Sequence, residues 1–236
     1  MKPKFTIPIC EHCEIRSQSI FRNLDTNNLE NISLHKGCSF YKAGQVIFNE
    51  GNYPMGVFCI NRGKVKVYKL GKQGKEQIVR LAKEGDTLGY RAVVTGEPYA
   101  ASASALEDAV ICCIPKNEIY SLLQLNSSFS LELIKLLCHD INLAQQQTVS
   151  LAQKPVRERL AETLLMLEKF YGLEDDQATI KGSMTRENLA DVVGTATETV
   201  IRLLSKFKQE NIIDLNQRKI KILNRKKLLS IAHLYD

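Results

Sequence analysis

Long apolar runs are missing from this 236-residue sequence. No stretch approaches the roughly 20 residues of a membrane span. The opening MKPKFTIPIC is too short and too interrupted by proline to supply the apolar core of a secretion signal. A cytoplasmic protein without membrane contact is therefore expected. Histidine is scarce as well: only His12, His35, His139 and His233 occur, none of them in the strand-rich middle of the chain. A barrel enzyme of the cupin type needs histidines on its strands to hold a metal, so it stays a remote alternative, and no enzymatic activity is expected. The seven cysteines are too few and odd in number for a complete disulfide framework, which points to mostly reduced thiols or ligands.

The length suits two modest domains. The net charge of +6 permits an acidic partner without identifying one. Its distribution is more informative. Between Arg202 and Lys227 there are nine Lys or Arg against two acids, Glu210 and Asp214, a local excess of the kind that meets phosphates.

Residues 1–34 form an N-terminal segment carrying the pair Cys10 and Cys13, with a short helix expected around Asn27 to His35. From Cys38 to Ile114 short alternating runs such as QVIF, GVFCI, KVKVYKL and AVICCI are separated by glycines, the pattern of many short strands with tight turns. A small β-barrel or jelly roll over 35–125 fits it. Lys116 to Leu123 reads as a short helix and Ser127 to Gln153 as a long one. In the long helix Ile134, Leu137, Ile141, Ala144, Thr148 and Leu151 recur at alternating spacings of three and four, a heptad seam suited to dimerisation over 126–153. Pro155 then breaks the helical pattern and reads as a hinge. Beyond it, within 154–236, an amphipathic helix runs from Val156 to Tyr171.

The stretch TRENLADVVGTATETVIRLLSKFK, Thr185 to Lys208, reads as two helices joined by a tight turn. Thr185 is a suitable N-cap and Gly194 a left-handed terminator, while Thr195 or Thr197 can cap the second helix. Val200, Leu203, Leu204 and Phe207 line its buried side; Thr197, Glu198, Ile201, Arg202 and Lys206 line the other. Glu198 and Arg202, four apart, project from one face. A carboxylate accepts from cytosine N4 and a guanidinium grips guanine O6 and N7, so the pair is suited to reading a major groove; the structural alternative is an ordinary helix-surface ion pair. Strands at Gln177 to Lys181, Ile212 to Leu215 and Lys219 to Leu223 would complete a winged helix, with Arg218, Lys219 and Lys221 offered to the DNA backbone alongside Thr185, Arg186 and Thr195.

The order of glycine-rich barrel, long helix, proline and winged helix, together with Glu198, Thr199, Val200, Ile201 and Arg202, resembles the CRP/FNR family of bacterial transcription regulators. The resemblance covers Cys10 to about Leu223. It implies an α+β fold with an N-terminal β-barrel, a long dimerisation helix and a C-terminal winged helix-turn-helix. It also implies a homodimer on double-stranded DNA, a palindromic site with a TGA-like core read by Glu198 and Arg202, and RNA polymerase as a further partner. Thr197 stands where the cyclic-AMP receptor has an Arg, so the outer base of that receptor's site is not expected to carry over.

The signal is less legible. Where the family's cyclic-AMP receptors have an Arg-Ser pair for the cyclic phosphate, this chain has Tyr99 and Ala100, and the turn preceding is Leu88, Gly89, Tyr90. A buried phosphate without a cation is costly, so no cyclic-AMP response is expected. The FNR branch implies a four-iron cluster, matched here by Cys10, Cys13 and Cys112, with Ser19 at the third ligand position. An iron–sulfur oxygen sensor and a thiol switch at Cys10 and Cys13 are the alternatives left open.

Overall fold

The computed structural model describes residues 7–234; residues 1–6, part of the opening segment read for a signal, and the last two lie outside them. The chain divides into two compact units. One runs up to Leu70 and resumes over Val79–Asn142; the other comprises Gly71–Ile78 and the chain from Leu143 onward. The division falls inside the long helix, and Pro155 lies within the second unit.

The first unit opens with a 3-10 turn at Glu14–Gln18 and helix α1, Thr26–His35, whose N-cap Asp25 accepts from the Asn28 amide. Eight strands follow: β1 Gly37–Tyr41, β2 Val46–Phe48, β3 Gly56–Arg62, β4 Val65–Leu70, β5 Glu76–Ala82, β6 Thr87–Leu88, β7 Ser102–Ala105 and β8 Ala109–Pro115. They form two four-stranded sheets, ordered β1-β8-β3-β6 and β2-β7-β4-β5. The apolar texture of β3 and β8 has a direct cause: both strands are covered on both faces. In β3, Phe58 and Ile60 enter the barrel core with Phe48 and Tyr99, while Val57 packs with Leu29, Ile32 and Ile119 beneath the helices. Two-sided burial replaces the polar half of a strand's alternation with apolar residues.

Helix α2, Tyr90–Thr95, had no sequence expectation. Six residues are too few to display a helical period, and it is set off by Gly89 and Gly96, both left-handed. Helix α3 spans Lys116–Leu125 and α4 Ser127–Gln153.

In the second unit α5, Val156–Tyr171, starts on Pro155 and ends on Gly172 at φ +75°. Leu160, Leu164 and Leu167 are buried as its period requires. Helices α6, Arg186–Val193, and α7, Thr197–Gln209, are followed by the hairpin β9, Ile213–Asn216, and β10, Lys219–Ile222. Gln217 takes φ +52° at the hairpin turn. The expected strand at Gln177 to Lys181 is replaced by two isolated bridges, Leu173 to Ile180 and Thr179 to Lys221. Gln177 sits at φ +53°, which breaks the extended run at its first residue. The closing helix α8, Arg225–Ile231, packs Leu228 inward and ties Arg225 Nε to Glu168 at 3.0 Å.

Candidate nucleic-acid interface

The turn between α6 and α7 is built from backbone groups held by side chains on either side. Thr185 Oγ1 accepts from the Asn188 amide at 3.0 Å and so caps α6. Gly194 ends α6 at φ +72°, where a Cβ would lie 2.7 Å from Leu151 Cδ2. The left-handed backbone is what calls for glycine, since the Leu151 methyl ends a flexible side chain that can move aside. The N-cap of α7 is Ala196, with no side-chain cap bond, so neither Thr195 nor Thr197 caps the helix as expected. Thr197 is instead its first residue, and an exposed alanine leaves the amides that follow without a side-chain acceptor.

Arg159, which sequence reasoning passed over, fixes this turn. Its Nε donates to the Val193 carbonyl at 2.9 Å, one terminal nitrogen to the Gly194 carbonyl at 3.2 Å and the other to the Lys154 carbonyl at 2.9 Å. A planar cation with several donors satisfies the carbonyls left open at a helix C-terminus. Gln77 Nε2 adds a bond to the Asp191 carbonyl at 2.6 Å, and Lys75 Nζ one to the Thr195 carbonyl at 3.0 Å.

Held in this way, α7 buries Val200, Leu204 and Phe207, with Leu203 partly covered, and turns Glu198, Ile201, Arg202 and Lys206 outward. Thr197 is half-buried at the edge of that face. Glu198 and Arg202 form no ion pair with each other, and neither has a hydrogen-bond partner among the described residues. The surface ion pair that their spacing allowed is not made. Two charged groups of opposite sign therefore stand free, one turn apart, on an exposed helix face.

The wing differs from expectation. Lys219 Nζ is paired with Glu174 at 2.5 Å and Lys221 Nζ with Asp176 at 3.1 Å, so neither is a free cation. Only Arg218 at the tip is exposed without a carboxylate partner among the described residues. Asp176 is held well below the usual carboxylate range, first by the Thr179 amide, then by the Thr179 hydroxyl and the Ala178 amide, with Lys221 a smaller contributor. Arg186 turns to the wing, donating to the Gln217 carbonyl at 3.0 Å, while its other terminal nitrogen is buried without a partner. Burial pushes this guanidinium below its ordinary value.

On α4 the expected seam is largely uncovered within one chain. Ile134 and Ile141 are 55% and 56% exposed; Ala144, Thr148 and Leu151 are exposed and Leu137 half-buried.

Two family models match successive parts of the chain: a cyclic nucleotide-binding domain over residues 39–126 and a Crp-like helix-turn-helix domain over 158–231. The chain belongs to the CRP/FNR family. It is 28% identical over 225 residues to the fumarate and nitrate reduction regulatory protein of Vibrio cholerae, covering 94% of this chain and 90% of the relative. It is 25% identical over the same length to the transcriptional activator protein anr of Pseudomonas aeruginosa, covering 94% and 92%. The fold matches the structure of FixK2 from Bradyrhizobium japonicum with a TM-score of 0.76 at 21% identity, over 85% of this chain and 99% of that one.

Membership of the CRP/FNR family does not by itself bring the family's ligands. In the barrel Tyr99 stacks on Phe48 with ring centroids 4.2 Å apart, and Phe48 on Phe58 at 5.3 Å. Tyr99 is 6% exposed, and burial pushes its hydroxyl up to about 12. Tyr99, which the family resemblance sets against the Arg of the phosphate pair, is thus a buried neutral ring carrying no positive charge.

The iron–sulfur ligand set of the FNR branch does not fit either. Cys112 is joined in a disulfide to Cys38, its register partner across β1 and β8, with Cα atoms 4.1 Å apart. Ser19 Oγ is engaged in a local turn, donating to the Arg16 carbonyl and accepting from the Phe21 amide. Among the described residues no group of three or more His, Cys, Asp or Glu is arranged to hold a metal. Cys10 and Cys13 are free and half-buried. Cys59 is a core thiol, pushed up to about 12 by burial, and Cys113 is partly covered. Cys138 is exposed on α4.

Proposed function

We propose that the protein is a sequence-specific DNA-binding transcription regulator that reads a palindromic site with a TGA-like half-site core as a homodimer. The observation that carries this reading is the pair Glu198 and Arg202, exposed and unpartnered on one face of α7. A helix face of that width enters a major groove, where Glu198 would accept from a cytosine N4 amine and Arg202 would donate to guanine O6 and N7. Thr185, Thr195, Thr197, Lys206 and, from the wing tip, Arg218 would meet phosphates and sugar, and Ile201 on the same face of α7 would make apolar contact in the groove. Arg186 supports the wing turn, and Lys219 and Lys221 supply positive potential weakened by their carboxylate partners.

The uncovered stripe Ile134, Leu137, Ile141, Ala144, Thr148 and Leu151 supports pairing of two copies through 126–153, since an exposed apolar helix seam is stabilised by a second one. Residues 154–236 then act as the reader, and 35–125 as the sensor of a signal other than cyclic AMP. The reading places the protein in the cytoplasm without enzymatic activity. RNA polymerase, which the family resemblance implies, is the further partner of this reading.

Selection from a pool of random duplexes tests the proposal. Enrichment of two-fold TGA/TCA elements separated by about one helical turn is expected; enriched sites lacking any such symmetry would refute it.

A further inference from the structure

Four cysteines line one cavity in the first unit. A cavity of about 50 Å³ between the N-terminal segment, α1 and the β1-β8-β3-β6 sheet is lined by Cys10, Cys13, Cys59 and Cys112, with Lys36 at its edge. Cys112 faces Cys38 in register on one side and Cys59 on the other, so three sulfur-bearing positions lie in a row across adjacent strands. Cys10 is anchored at the cavity wall twice. Its amide donates to Ser33 Oγ at 2.8 Å, and Lys36 Nζ donates to its sulfur at 3.0 Å. A disulfide sulfur and a free cysteine sulfur thus share one small enclosure.

We propose that Cys10 is the internal nucleophile for the Cys38–Cys112 disulfide, exchanging it for a Cys10–Cys112 bond that ties the N-terminal segment to β8. The Cys10 sulfur, having released its proton to solvent, attacks Sγ of Cys112. The new sulfur–sulfur bond forms as the Cys38–Cys112 bond breaks; the electron pair leaves on Cys38, which takes a proton from solvent. One disulfide is lost and one formed, so neither oxidant nor reductant is consumed. The direction of attack follows from placement: Cys112 lines the cavity and Cys38 does not, while Cys38 lies half-buried on the edge strand β1, where a leaving sulfur meets water. Cys59 lines the same cavity and neighbours Cys112 across β3 and β8, but burial pushes its thiol up to about 12, so it supplies little thiolate for attack. Cys13, on the same turn as Cys10, is the second thiol able to reach the product, and it would return Cys112 as a thiol by forming Cys10–Cys13. The inference concerns the sensor unit alone and is independent of the DNA-reading role.

The experiment is disulfide mapping by mass spectrometry on the full chain, equilibrated with glutathione over a range of reduced-to-oxidised ratios, then acid-quenched and alkylated. A Cys10–Cys112 linked peptide is expected, accumulating further in Cys13→Ser, where the second exchange is blocked. In Cys10→Ser only Cys38–Cys112 should remain, and glutathione should reduce it at least tenfold more slowly than in the parent. The proposal is overturned if the parent and Cys13→Ser show only Cys38–Cys112 at every ratio. It is equally overturned if the Cys38–Cys112 bond is absent throughout, or if Cys10→Ser, folded by circular dichroism, is reduced at the parent rate.

Discussion

Arg159 Nε donates to the carbonyl of Val193 across 2.9 Å, joining α5 to the end of α6. The same guanidinium reaches Gly194 and Lys154, so one side chain sets where the first helix of the reader stops. Charge-assisted hydrogen bonds of this kind contribute about 1.5–3 kcal/mol. Arg159→Ala should lower the unfolding free energy by about 2 kcal/mol in urea titration. It should also weaken binding to all duplexes alike, because it disturbs the frame and not the base contacts.

Arg202 and Arg218 should separate in the same assay. Arg202→Ala is expected to relax preference at one guanine and cost about 1–3 kcal/mol of discrimination. Arg218→Ala should instead lower affinity uniformly and reduce the salt slope by about one. Lys221→Ala should do less than Arg218→Ala, since Lys221 is already paired with Asp176. Equal, sequence-independent losses in Arg202→Ala and Arg218→Ala would show that the base and backbone contacts have been assigned wrongly.

The α4 stripe gives a prediction about assembly. Ile141 is 56% exposed in one chain, so Ile141→Glu costs the single subunit little but sets two carboxylates against each other in a paired helix. Sedimentation velocity should show monomer in place of dimer. Affinity for a palindromic duplex should fall by about a hundredfold or more as the second reader is lost. A variant that remains dimeric would move the interface away from this seam.

Acid should act on the wing through Asp176. Its folded-state value lies below the ordinary 3.8, chiefly because amide groups of the 176–179 turn donate to the ionised carboxylate. The stabilisation is therefore complete above about pH 4 and is lost as pH falls through the lower folded value. Thermal unfolding of Asp176→Asn from about pH 5 to pH 2 should show a shallower decline than the parent. Identical profiles would remove Asp176 from the account.

What could be read in the sequence was what repeats or punctuates. The bounds of α4 and α5 follow from apolar periodicity and Pro155, and both match the structure residue for residue. Gly194 announced the turn before α7. Features set by register or by backbone partners left no such trace. Arg159 bonds only to carbonyls, which every residue carries. Cys38 and Cys112 meet because β1 and β8 pair in one register and not in a neighbouring one, and 74 residues separate them. Glu174 and Asp176 come beside Lys219 and Lys221 only once the bridge from Thr179 to Lys221 has formed.

Tyr99 stacks against Phe48, and Phe48 against Phe58 in turn, so three aromatic rings fill this part of the jelly roll. A ligand seated at this point would first have to part the stacked rings, so its binding would be read directly in the packing of Phe48 and Tyr99.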